Sequence, residues 1–322
     1  MPSSARNTRG KDQRWVVAYY DLLGIQREML DWTSPDATTA KIDCLRIALA
    51  GLLTRLVEAN LERRNQRTPA LAATREFEAI VFSFADTVVL AAPVVNCSGR
   101  PQLMFLSTVV TTAIPLMADQ LAHGVLLRAG VEVGLAREIP TAREHLARRA
   151  GPLQPPQPVS QEQHTAPGGN SSRRRFRDGD IVGPAYAKAY ALANCKGAPP
   201  GIFVGAGAVE LLGEAAAGNG TLGGVWVTNA KRTLGLLMRL DRNQDYLISE
   251  RGDTWAVDFA NTDHIDAADP SGTTRRLMAD GYRWTCVELN RQADGGARRK
   301  FQWLKTYLEN RWPALAADTD RS

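Results

Sequence analysis

The stretch Phe77-Glu78-Ala79-Ile80-Val81-Phe82-Ser83-Phe84-Ala85-Asp86-Thr87-Val88-Val89-Leu90-Ala91-Ala92 decides the fold. It holds two runs of β-branched, aromatic and small apolar residues, with only Ala85-Asp86 between them as the shortest plausible hairpin turn. A β-hairpin is therefore predicted over residues 76–93. On its N-terminal side, Leu45, Leu49, Leu52, Leu53 and Leu56 form the stripe of a helix that buries one face, over about residues 37–65. Before that helix, the β-branched and aromatic run 15–20 reads as a strand that stops at Asp21-Leu22-Leu23-Gly24. On the C-terminal side, residues 103–123 read as a second helix and Leu126-Leu127-Arg128-Ala129-Gly130-Val131-Glu132-Val133 as a fourth strand. The β–α–β–β–α–β order is complete by Gly134. It is the ferredoxin-like split βαβ arrangement, an α+β fold in which an antiparallel sheet carries both helices on one face and leaves the other for a site or a partner.

The rest of the chain adds to this unit. Residues 151–179 contain Gln154-Pro155-Pro156-Gln157-Pro158, Pro167-Gly168-Gly169-Asn170-Ser171-Ser172 and a basic run to Arg177, the composition of a mobile loop. A helix is expected at 183–194, a strand at 201–204 and a helix at 206–214, then strands at 245–249 and 255–259. A terminal helix is expected to carry Phe301, Leu304 and Leu308 on one side. The expected layout is a frayed arm at 1–14, one domain at 15–260, and a helical extension at 261–322 packed on the same domain.

Composition narrows the class. A chain of 322 residues with 44% hydrophobic and 23% charged content buries a core without staples. Cys44, Cys97, Cys195 and Cys286 form no C-x-x-C pair, so neither a disulfide framework nor a zinc knuckle is indicated. With a polar, basic N-terminus that lacks an apolar core, a cytoplasmic location is expected. The apolar stretch 103–127 is broken by Thr111, Thr112, Pro115, Asp119, Gln120 and His123, so a core helix running into a strand is expected there rather than a membrane span. The net charge of +5 comes largely from short clusters such as Arg173-Arg174-Arg175 and Arg298-Arg299-Lys300 and by itself decides nothing about a partner, and the Arg173 to Arg177 run reads as a solvated loop. No nucleic-acid partner is expected, because only Phe176 interleaves an aromatic ring with these bases. Gly205-Ala206-Gly207 follows an apolar strand, but Glu210 stands where a dinucleotide fingerprint needs glycine.

One constellation carries chemistry. Side chains alternate along a strand, so Tyr19 and Asp21 share a side, as do Phe82, Phe84 and, across the turn, Asp86. The first strand neighbours the hairpin in this topology, and the two carboxylates therefore converge on one hard cation or on two that share oxygen ligands. Such a pair suits phosphoryl transfer. The turn after Asp21, through Leu23 and Gly24, can offer backbone amides to a triphosphate.

These residues also resemble a known family. Tyr19-Tyr20-Asp21-Leu22-Leu23-Gly24 resembles the first-metal segment of class III adenylate and guanylate cyclases, and Phe84-Ala85-Asp86-Thr87-Val88-Val89-Leu90 their second-metal hairpin. Arg128-Ala129-Gly130-Val131-Glu132-Val133-Gly134 resembles their Arg-x-Gly-x-x-x-Gly strand, and Asp180-Ile181-Val182-Gly183-Pro184-Ala185-Tyr186 their Asp-Ile-x-Gly segment. Together the four lie in family order over residues 19–192. The resemblance implies Asp21, the Leu22 carbonyl and Asp86 as ligands of Mg²⁺ or Mn²⁺, and active sites built across a head-to-tail homodimer. It also places Phe82 and Asp180 at base-reading positions, while strand alternation puts Tyr19 on the carboxylate side as a further candidate to face the base.

Departures from the family pattern refine the expectation. Phe82 stands where adenylate cyclases carry a base-reading lysine, and Asp180 falls at their other base-reading position, as an acceptor suited to uracil or cytosine. Ala187 and Ala191 match the positions of the family's ribose- and phosphate-binding Asn and Arg, which leaves Arg128, Lys188 and Lys196 as candidate cations for the developing charge. With Gly183-Pro184-Ala185-Tyr186, Ala189-Tyr190 and a terminal helix bearing Trp303 and Tyr307, the chain resembles the pyrimidine cyclases of bacterial Pycsar anti-phage systems. That resemblance implies UTP, or alternatively CTP, as substrate and cyclic UMP or cyclic CMP as product. An adenylate cyclase and a catalytically silent nucleotide-binding domain are the alternatives.

Overall fold

The computed structural model describes residues 13–23, 25, 34–65, 79–84, 86–94, 100–139, 176–178, 180–194, 199–218, 224–240, 254–293 and 295–315. The expectations that rest on Gly24, Ala85, Lys196, the strand at 245–249 and nearly all of the loop at 151–179 lie outside these residues.

The ferredoxin-like unit runs β1 (Gln13–Leu23), α1 (Pro35–Asn65), β2 (Ala79–Phe84), β3 (Thr87–Pro93), α2 (Arg100–Ala122) and β4 (Leu126–Ile139). Its strands lie in the order β2-β3-β1-β4, with β1 antiparallel to both neighbours. The hairpin is as tight as its sequence demands, Phe84 pairing with Thr87 across two residues.

The sheet then grows on both sides. Residues 176–178, read from sequence as the end of a loop, form β5 (Phe176–Asp178), a parallel edge strand on β2. A three-residue edge strand is too short to leave a periodic signal among glycines and arginines. Next come β6 (Asp180–Val182) on β4, α3 (Pro184–Ala193), β7 (Gly201–Val204) parallel to β4, and α4 (Ala206–Ala216). Beyond them lie α5 (Gly224–Gly235), β8 (Leu237–Leu240), β9 (Thr254–Val257), α6 (Thr262–Ala268), α7 (Thr273–Arg291) and α8 (Gly296–Arg311).

Both faces of β1 are covered. Val16, Ala18, Tyr20 and Leu22 join the large core under α2, while Trp15, Val17 and Tyr19 join a second cluster under Ala185, Ala189 and Ala193 of α3. The expectation of one open face is corrected here: α3 lies across β1 and β4. The cause is a backbone contact. A Cβ on Gly130 would stand 2.0 Å from the Ala189 carbonyl oxygen, so only glycine lets the helix approach this closely. Two turns of alanine opposite Gly130 and Gly134 make a seam of small residues.

Helix α2 is the hub of the other layer. Its segment Leu103–Ala122 is long and apolar enough to cross a membrane, yet 67% of it is buried inside the protein. It lies between the sheet and α7, where Gly281 meets Leu121 so closely that a Cβ would come within 2.5 Å of the leucine Cβ. The end of the chain is tied back by Tyr307, whose hydroxyl donates to Asp258 at 2.7 Å and accepts from the Ala260 amide at 3.2 Å.

Candidate active site

β1 delivers Asp21 to one end of the sheet. In the ladder register Asp21 faces Thr87 on β3, the residue after Asp86, and Arg128 on β4. The β1–β3 ladder stops there, whereas β1–β4 continues to Leu23. β3 thus has no residue opposite Leu22, and the hairpin tip carrying Asp86 stands beside that gap.

The electrostatics follow from this placement. Burial pushes the Asp21 carboxyl above the usual carboxylate range, the hydrogen bond and charge of Arg128 pull it back, and the Asp86 carboxylate pushes it up again. The two acids therefore feel each other across the hairpin tip. Arg128 Nη2 donates to Asp21 Oδ2 at 3.0 Å, and the side chains are only 12% and 14% exposed. The same nitrogen lies 3.3 Å from Asn194 Oδ1 at the end of α3. Among the described residues, Arg128 Nε is buried without a hydrogen-bond partner.

Other expected site residues are placed as follows. Tyr19 is buried, with its hydroxyl 3.2 Å from Thr87 Oγ1 and its ring edge-on to Tyr190 at 5.3 Å and to Tyr186 at 6.1 Å. Phe82 is half-buried in the same cluster, so it lies on the Asp21 face. The side chain of Leu23 packs against the core on the α2 layer. Lys188 is exposed on α3, and the charge it meets is Glu132 rather than the Asp21 pair. Ala187 and Ala191 are both exposed.

Asp180 is not near this group. It pairs with Ile139 at the far end of β4, whereas Asp21 pairs with Arg128 near its beginning. At roughly 3.3 Å per residue along the strand, the two ends are separated by on the order of 35 Å. One copy of the chain does not bring Asp180 to Asp21.

Sequence reasoning missed two members of the group. In sequence Asn194 is only the last residue of the helix expected at 183–194; it caps α3 and also meets Arg128. Lys300 sat in a basic cluster noted only as a source of net charge, yet it is half-buried and interacts electrostatically with both Arg128 and Asp21. Its only sequence signal is adjacency to Phe301, the buried anchor of α8.

Glu132 accounts for Gly205-Ala206-Gly207. Its carboxylate accepts from the Val133 amide at 2.8 Å, and a Cβ on Gly205 would come within 2.2 Å of its Oε2. The glycines make room for a buried acid at the start of α4, which is a structural cap rather than a dinucleotide loop.

No family model and no curated protein matches the chain. Solved structures similar to it include nucleotide cyclases. The non-canonical dimeric guanylyl cyclase domain of the RhoGC fusion protein from the aquatic fungus Blastocladiella emersonii is 10% identical, with 77% of this chain and 97% of that one covered and a TM-score of 0.42. The guanylate cyclase domain of RhGC from Catenaria anguillulae in complex with GTP is 11% identical over 77% and 97%, with a TM-score of 0.40. A bacterial light-regulated adenylyl cyclase is 12% identical over 82% and 99%, also at 0.40. Likeness this distant assigns no activity to the chain.

The ion pair makes a measurable claim. In Arg128→Met, the hydrogen bond and the charge through which Arg128 pulls the Asp21 carboxyl down are lost and only the weaker pull of Lys300 remains, so it should titrate at a higher pH than in the native protein. Carbon-13 NMR of the carboxyl groups reads this directly. An unmoved midpoint would mean that the pair does not form in solution.

Proposed function

We propose that this chain is a nucleotide cyclase that converts UTP into 3′,5′-cyclic UMP and pyrophosphate, as a signal in bacterial anti-phage defence of the Pycsar kind. The observation that carries the cyclase reading is the pair Asp21 and Asp86, converging from β1 and the β2–β3 tip with Arg128 alongside.

The donor set fits a hard divalent ion such as Mg²⁺ or Mn²⁺. Asp21 and Asp86 are partly exposed oxygen donors whose charges repel, and an ion between them relieves that repulsion. Asp21, Asp86 and the Leu22 carbonyl would hold it. When bound, such an ion acidifies an attacking hydroxyl and neutralises charge on leaving phosphates.

The chain's own residues position the substrate. The 3′-oxygen of the ribose attacks the α-phosphorus in line, the bond to the bridging oxygen breaks, pyrophosphate leaves and the hydroxyl proton passes to solvent. Arg128 faces the charge that builds on the phosphates, and Asn194 holds its guanidinium in place. Asp180, at the other end of β4, serves the site of a second copy, which supports a head-to-tail homodimer. The pyrimidine preference rests on Phe82, an apolar ring on the Asp21 face with no donor for adenine, and on Asp180 as an acceptor. A cytoplasmic location belongs to the same reading.

A second reading has its own observation. Ala187 and Ala191 offer nothing to ribose or phosphate, and Arg128 engages one Asp21 oxygen, as in a nucleotide-binding domain without turnover. Incubation with ATP, GTP, CTP and UTP in Mn²⁺, read by mass spectrometry, separates the readings. Cyclic UMP is the expected product. Cyclic CMP alone moves the substrate to CTP, a cyclic purine nucleotide alone overturns the pyrimidine preference, and no cyclic product from any of the four overturns the enzyme.

A further inference from the structure

We infer that Lys300, on the C-terminal helix α8, is a polyphosphate-binding residue of this site and holds the pyrophosphate portion of a nucleoside triphosphate alongside Arg128. The inference rests on the nucleotide reading above and adds to it a residue outside the segments that carry the family resemblance.

Its placement is built by packing. Arg298 donates to the carbonyls of Leu289 and Gln292 at 3.0 and 2.9 Å, which fixes the first turn of α8 to the end of α7. Phe301 then sets its ring edge-on to Trp284 at 5.4 Å. Trp284 in turn covers Gly124, where a Cβ would lie 3.1 Å from the indole nitrogen. Gly124 leads into β4, whose third residue is Arg128. Lys300 is thereby carried to the end of the sheet where Asp21 and Arg128 meet.

Its surroundings ask for an anion. Among the described residues no carboxylate pairs with Lys300, and the charges acting on it are Arg128, which repels it, and Asp21, which attracts it. Asp21 is already engaged by Arg128. Lys300 is half-buried, and among the described residues Arg128 keeps a buried Nε without an acceptor. Two cations held together around one engaged carboxylate are stabilised by a ligand with several anionic oxygens. A polyphosphate has that chemistry.

Calorimetric titration tests this with two probes, inorganic triphosphate and 3′-deoxyuridine triphosphate, which cannot cyclise, each with Mg²⁺. Lys300→Met should weaken both by about tenfold or more, as expected for one lost charge-assisted bond. Lys300→Arg should stay within about threefold, and Arg299→Met, which removes an equal but exposed charge from the same turn, should change little. The ligand-free Lys300→Met protein should melt at the same or a higher temperature, because an unpaired, half-buried cation is gone. A purely structural lysine would give the opposite sign. Lys300→Gln provides the same comparison should the methionine variant fail to fold. If native protein binds the probes and both neutral variants bind them equally well, this inference falls while the nucleotide reading stands. If native protein binds neither probe, both fall. If the neutral variants lose binding but no cyclic product forms from any triphosphate, the role of Lys300 stands and the cyclase does not.

Discussion

Asp86→Ala should remain folded and lose nucleotide turnover by on the order of 10³-fold or more, measured as cyclic product formed per minute at saturating triphosphate. Asp86 is half-buried at a hairpin tip and takes part in no ion pair among the described residues, so its removal leaves no stranded charge. Asp21 differs. Truncating it to alanine strands Arg128, at 12% exposure, without its carboxylate, a loss of about 3 kcal/mol in stability for a broken buried pair. Asp21→Asn is the cleaner variant, because the amide oxygen still accepts from Arg128 while the negative charge is gone. Near-native turnover in Asp86→Ala or Asp21→Asn, with the protein folded by circular dichroism, would remove the paired-carboxylate mechanism.

Gly130→Ala should be the most damaging single-methyl substitution in the sheet. Its Cβ would press against the Ala189 carbonyl at 2.0 Å and the Leu192 Cβ at 2.9 Å, and both belong to a helix whose backbone cannot yield locally. Either α3 lifts, uncovering Tyr19 and moving Asn194 from Arg128, or β4 bends. The expected destabilisation is about 3 kcal/mol. Gly134→Ala is the matched comparison, since its Cβ would meet the Ala185 Cβ at an ordinary 3.5 Å. Urea denaturation of the two proteins should separate them clearly. Equal midpoints would show that α3 does not sit against β4 as described.

What was legible in the sequence follows from how each signal is written. The hairpin announced itself because two apolar runs flank a two-residue turn, and the placement of Asp21 beside it followed from the order of elements. The burial of β1 on both faces was present in the run Trp15 to Tyr20, which has no polar alternation, but the partner on the second face was hard to see. Alanine and glycine give almost no hydrophobic contrast, so the seam of Ala185, Ala189 and Ala193 against Gly130 and Gly134 emerges only when helix and strand are placed together. The Arg128–Asp21 pair needed a register, and periodicity does not supply one. Lys300 is separated from Asp21 by most of the chain and continues a basic run, so adjacency to Phe301 was all that marked it locally. Helix α5 was not anticipated, and α6 and α7 were expected only as an undivided helical extension over 261–322, because their faces interleave charged and aromatic residues without a clean stripe.

The length of β4 has a last consequence. On the proposed reading, β4 runs from beside Asp21 near its beginning to beside Asp180 at its far end, so each copy would contribute to two different reaction chambers and complete neither. Under the two-copy reading, output then responds to abundance more steeply than in proportion: where subunits are mostly apart, doubling their amount raises the paired form roughly fourfold. Such a protein would stay quiet when scarce simply because its own strand is too long to let it act alone.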